Sequence, residues 1–178
     1  MVTVITKPTF TLDDFLANPP NHQEWIDGEL KETTGMTIRH SKIQAKLARL
    51  WGNYVNDSQQ EGEIYTELPC KTLKQGRRPD VCYLTSELVK NYSNAPSLPQ
   101  SPPLIAEIAS PADSAEDLFA KANEYLASGA EEVWLVLPEN EKVIIIILDR
   151  TLVFSNDDIV TTQKVLTGFN ITINDLFK

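Results

Sequence analysis

Asp80, Glu107 and Lys121 are the side chains whose types and order best suit them to act together on a phosphate ester. Asp80 follows Pro79 at the opening of a strand-like segment. Glu107 interrupts the apolar run from Leu104 to Ala109, and Lys121 lies in the helical pattern just beyond it. A carboxylate buried among such residues needs a partner, because burying it alone is costly. On neighbouring strands the two acids could share a face and offer hard oxygen donors to Mg²⁺ or Mn²⁺. Mg²⁺ is held by one or two carboxylates and completes its shell with water and phosphate oxygens. Such an ion polarises a scissile phosphate and acidifies a bound water. A nearby ammonium orients the nucleophile and offsets charge in the transition state. Plainer roles stand beside these: Pro-Asp is a common turn dipeptide, Glu107 could sit in a structural ion pair, and Asp117 is well spaced for a helical pair with Lys121.

Weaker candidates surround the three. Glu29 could be a further acid at the same site or a solvent-facing residue near a turn. His40, at the start of a helical segment, could contact phosphate or the nucleophilic water, or simply face solvent. Asp27 and Glu24 carry less still. Arg77 and Arg78, with Lys71 and Lys74, lie just before Asp80, where they could guide a phosphate backbone or form an ordinary basic turn. Arg39, Lys42, Lys46 and Arg49 are spaced three, four and three apart, one cationic stripe on a helix that could contact phosphates or only solvate a face.

The elements that must position these residues follow from periodicity. Thr11 before Leu12 to Leu16 predicts a short capped helix that ends before Pro19-Pro20. Asp27-Gly28 is a turn signal between two short strands. Ile43, Leu47, Leu50, Trp51 and Tyr54 recur on one face of a helix over Arg39 to Asn56. Strands are predicted over Ile64 to Thr72 and Val81 to Leu84, divided by a turn at Gln75-Gly76, and a stiff proline-rich loop over Ser86 to Pro103. Glu107 then falls in a buried strand. A helix over Ala115 to Leu126 closes at Gly129, and strands follow over Val133 to Leu137 and Val143 to Leu148. The branched run Val143 to Ile147 requires cover on both faces, so a central strand or a subunit interface is expected. The tail alternates short strands and turns and ends in a helical turn near Asn174 to Phe177.

A chain of 178 residues, 42% hydrophobic, suffices for one core, and a single domain over residues 1–178 is expected. No apolar run reaches bilayer length and the start has no export-signal pattern. Cys70 and Cys82, the two cysteines, read as reduced buried thiols, so the cytoplasm is the expected compartment. A net charge of −9 argues against coating nucleic acid by bulk attraction.

Taken in order, Pro79-Asp80, the stretch Pro103 to Pro111 around Glu107, then Asp117, Lys121, Tyr125, Gly129 and Glu132 to Val136, resemble the Uma-type restriction endonuclease family of the PD-(D/E)XK nuclease superfamily. Glu24 to Leu30 and His40 are similar to its N-terminal signature, so the resemblance spans roughly Thr9 to Leu148. It implies an α/β, restriction-endonuclease-like fold, a mixed central β-sheet flanked by α-helices. It also implies Asp80 and Glu107 as metal ligands, with the backbone carbonyl of Ile108 as a further one, and Lys121 as the catalytic lysine. The superfamily's lysine usually stands two residues after the second acid, where this chain has Ala109; the following helix supplies it instead. The expected activity is Mg²⁺- or Mn²⁺-dependent hydrolysis of DNA by a homodimer. The competing reading is a non-catalytic binding or scaffold protein that keeps the fold.

Overall fold

The computed structural model describes residues 10–33 and 36–178. Its elements run α1 (Leu12–Ala17), β1 (Gln23–Ile26), β2 (Glu29–Glu32), α2 (Ile38–Asp57), β3 (Glu63–Thr66), β4 (Cys70–Lys71), β5 (Gly76–Arg77), β6 (Val81–Leu84), α3 (Ser86–Tyr92), β7 (Leu104–Ile108), α4 (Ala115–Leu126), β8 (Glu132–Leu137), β9 (Lys142–Ile147), β10 (Arg150–Ser155), β11 (Ile159–Thr161), β12 (Asn170–Thr172) and α5 (Ile173–Phe177). Six strands form the central sheet in the order β10-β9-β8-β7-β6-β3. β7 and β8 run parallel and their other neighbours antiparallel, so the sheet is mixed.

Alternation along the strands sorts side chains between two layers. Val81, Tyr83, Leu104, Ala106, Ile108, Trp134 and Val136 pack on the apolar face of α2, with Ile43, Leu47 and Trp51. Cys82, Leu84, Ile105, Val133 and Leu135 pack on the opposite side against Leu118, Ala122 and Tyr125 of α4. Glu107 lies between Ala106 and Ile108, so the same alternation turns it toward α4. The isoleucine-rich β9 is flanked by β8 and β10, the interior position its composition requires. Cys70 and Cys82 are buried free thiols.

A second, four-stranded sheet, β2-β1-β5-β4, carries the hairpin predicted around Asp27-Gly28. Both turn residues have positive φ, 52° and 92°, as a two-residue hairpin loop requires. Gly76 is not a turn residue, as its neighbourhood suggested, but begins β5, where a Cβ would lie 2.3 Å from the Phe15 ring. Two further expectations fail locally. The strand foreseen over Ile64 to Thr72 is two strands, broken at Glu67, whose φ of 54° leaves the extended region just before Leu68-Pro69. The proline-rich segment begins with helix α3, because Thr85 caps it through the Leu88 N–H and the first proline, Pro96, comes only after it ends.

Glu132 is wholly buried, yet satisfied. It accepts Nε1 of Trp134 at 2.6 Å and the N–H groups of Gln163 and Lys164 at 2.7 and 2.8 Å, tying the C-terminal segment to β8. Among the described residues no helix is long and apolar enough to cross a membrane.

Candidate active site

Asp80 stands one residue before β6, which pairs antiparallel with β7 through Val81 and Ala106. Extending that register by one residue sets Asp80 opposite Glu107. Oδ2 of Asp80 accepts the Ile108 N–H at 2.6 Å and lies 3.2 Å from Nε2 of His40. A strand residue's N–H and C=O point to the same side, so the Ile108 carbonyl also faces the Asp80 side of β7.

Glu107 is buried and held at both oxygens. Oε1 accepts the Tyr125 hydroxyl at 2.7 Å, and Oε2 stands 3.0 Å from Nζ of Lys121. Both partners lie on α4, whose N-cap Ser114 accepts the Asp117 N–H. Asp117 in turn accepts the Ser114 hydroxyl, and Lys121 pairs with Glu107 and Glu24 instead of with Asp117. Burial pushes the Glu107 carboxyl up to about 8 against the pull of the Lys121 ammonium, with Asp80 and Glu24 adding to the rise. Lys121 is itself partly buried, and desolvation opposes its charge, but its acidic neighbours outweigh that and raise its pKa, so it stays charged. His40 is raised too: burial opposes its charge, and Asp80 more than compensates.

Asp80, His40, Glu107, Ile108 and Lys121 line one cleft of about 550 Å³, together with Glu24 and Glu67. Eight carboxylates face four cations among its lining residues. Glu67 is half-buried near Asp80, and its desolvation and the neighbouring charge both raise its pKa. Its left-handed backbone is pinned, the N–H donating to the Pro79 carbonyl at 3.1 Å and the C=O accepting Nη1 of Arg78 at 2.9 Å.

The structure brings Asp80, Glu107, Ile108, Lys121 and His40 together in this cleft, which Arg77 and Arg78 also line, whereas Glu29, Lys42 and Lys46 lie outside its lining. Glu29 is exposed at the tip of the β1–β2 hairpin, paired with Ile26, outside the residues that line the cleft. Asp27 and Glu32 of the hairpin line it, and so does Glu24, farther from the tip on the same face as Glu29. The signal of Glu24 was faint in the sequence, because only the strand register separates it from Glu29. Arg78 cannot serve as a free phosphate contact: its guanidinium donates to the carbonyls of Gln23, Glu67, Pro19 and Pro20. Arg77 is clamped between Glu24 and Glu124. Lys42 and Lys46 reach backbone oxygens of Lys178 and Asp175, where cations complement the end of α5. Arg39 pairs with Glu139 and Glu141.

The donor set suits a hard divalent cation of Mg²⁺ type. Among the described residues no group of three or more His, Cys, Asp and Glu side chains is gathered to hold a metal. Two carboxylates and a backbone carbonyl match an ion that keeps much of its water. The surplus of carboxylates in the cleft is the charge such an ion would balance.

The family model for Uma2, described as "Putative restriction endonuclease", matches residues 11–174. The chain belongs to the Uma2 family. Among solved structures, this Uma2 chain is similar to a "putative nuclease belonging to DUF820" from Anabaena variabilis ATCC 29413, at 24% identity and a TM-score of 0.82, over 94% of this chain and 97% of that one. The likeness shows the shared fold, the mixed sheet between helices expected from the sequence. No curated protein matches this chain.

Proposed function

We propose that this Uma2 protein is a divalent-metal-dependent nuclease that hydrolyses DNA phosphodiesters with water as nucleophile. Asp80, Glu107 and the Ile108 carbonyl would hold the ion, Mg²⁺ or Mn²⁺, which when bound polarises the phosphate and acidifies a water. Lys121 supplies the ammonium that steadies charge on the phosphate oxygens. Tyr125 keeps one Glu107 oxygen fixed, and His40 orients the Asp80 carboxylate, as groups that hydrogen-bond to metal ligands do. The observation that carries this reading is the convergence of two carboxylates from neighbouring strands on one acidic cleft, with a lysine in contact with the second.

The chain would act as one domain and as a homodimer, since duplex cutting is often done by paired sites and two-fold pairs are the commonest oligomers. The buried free thiols of Cys70 and Cys82 suit a reducing cytoplasm. The test is incubation of the purified chain with supercoiled, linear and single-stranded DNA in Mg²⁺ or Mn²⁺, beside Asp80→Ala and Glu107→Ala. Cleavage by the parent and its loss in both variants is the expected result. Undiminished cleavage in both variants would mean a contaminant and remove the assignment. A scaffold would bind DNA without cutting it in either ion.

A further inference from the structure

Lys121 touches two carboxylates at once: Nζ lies 3.0 Å from Oε2 of Glu107 and 3.1 Å from Oε1 of Glu24. Glu24 comes from the small sheet, and both its oxygens are pinned from other directions. Oε1 also accepts the Arg78 N–H at 2.9 Å, and Oε2 accepts Nη1 of Arg77 at 3.2 Å. Arg77 is locked in turn on Glu124, one turn beyond Lys121 on α4, at 2.6 Å. Charge-assisted bonds of this kind fix orientation as well as position. Glu24 is therefore a rigid post, whereas Glu107 sits on the wall that Asp80 shares.

A cation that engages Glu107 competes with the ammonium for the same oxygen. Two positive charges in a buried cleft repel strongly unless one is held aside. We propose that Glu24 is a positioning residue for Lys121: it shares the ammonium with Glu107 and retains it at the side of the cleft when a divalent cation takes up Glu107. This rests on the metal-dependent reading above. Without Glu24 the ammonium has Glu107 as its remaining acidic contact, and the cation must displace it.

The test is calorimetric titration of the full chain with MnCl₂, which requires no turnover. Glu24→Gln weakens Mn²⁺ binding about tenfold, the scale seen when a partner that orients a metal ligand is lost. Glu24→Asp, which keeps the charge, recovers most of it. In a Lys121→Met background the Glu24→Gln loss shrinks to within about twofold, because coupled groups do not add. Equal losses in both backgrounds, or none in either, would overturn the proposal. Failure of the metal reading looks different: the parent binds no Mn²⁺, or Asp80→Asn and Glu107→Gln bind it unimpaired. A metal-free crystal structure of Glu24→Gln then decides the role of Glu24. Nζ displaced from its present place between position 24 and Glu107 supports it, and Nζ left in place overturns it.

Discussion

At the scale of single residues, the cleft is a problem of shared charge. Glu107 lies in a strand whose other residues are apolar, and its two partners come from one helix turn of α4. Replacing Lys121 by Met should lower kcat about 10²- to 10³-fold, the usual loss for a group that stabilises charge in the transition state; single-turnover cleavage at saturating DNA measures it. The Glu107 carboxyl, raised from its ordinary 4.5 to about 8, gives a pH dependence of known sign. The folded protein retains a proton there that the unfolded chain has released, so this contribution is full below 4.5 and is lost as pH rises through 8. The raised His40 acts in the same direction from its ordinary 6.5 upward, and the lowered Glu24 acts oppositely, losing its contribution on the acid side of 4.5. Metal-free protein should therefore melt lower at pH 8.5 than at pH 6, and Mn²⁺ should raise the melting temperature more at the higher pH, because less proton is then displaced. A melting temperature that climbs from pH 6 to 8.5 without metal would contradict the burial argument.

The elements explain which residues could be found from sequence and which could not. Asp80, Glu107 and Lys121 stood out because each interrupts or follows a strong local period: a strand opening, an apolar run, an amphipathic helix. α2 was equally plain from the apolar residues that recur on one of its faces, and α4 was bounded by the closing Gly129. Glu24 was faint and Glu67 hidden, because their approach to the cleft depends on strand register and on a backbone break. The basic residues misled for a related reason. A cation count along a segment says nothing of which carboxylates and carbonyls the fold will bring to it, and Arg77 and Arg78 meet theirs from β1, α4 and the Pro19-Pro20 loop. β5 was missed because its two residues pair on both sides but carry no alternation of their own. Its packing gives a prediction: Gly76→Ala forces a methyl to within 2.3 Å of the Phe15 ring. That overpacking should cost about 1–3 kcal/mol in urea unfolding and, by shifting Arg77, should also impair Mn²⁺ binding. A variant as stable as the parent would show that Phe15 yields freely.

For the whole molecule, a net charge of −9 and a cleft rich in carboxylates mean that, on the proposed function, a divalent cation would have to be the bridge to any polyanion. Most of the basic side chains that might have offered a phosphate stripe are engaged within the protein. Retention of DNA in a gel should therefore be negligible in chelator and appear with Ca²⁺, a hard ion that can occupy oxygen sites. Equal retention in chelator would place the DNA contact outside the cleft. The most direct measurement is anomalous scattering from crystals of the protein soaked in Mn²⁺ with a short duplex. The account predicts a peak bridging Asp80, Glu107 and the Ile108 carbonyl, with Nζ of Lys121 still on Glu24. A fully ordered cleft with manganese bound elsewhere, or with Asp80 and Glu107 turned apart, would contradict it.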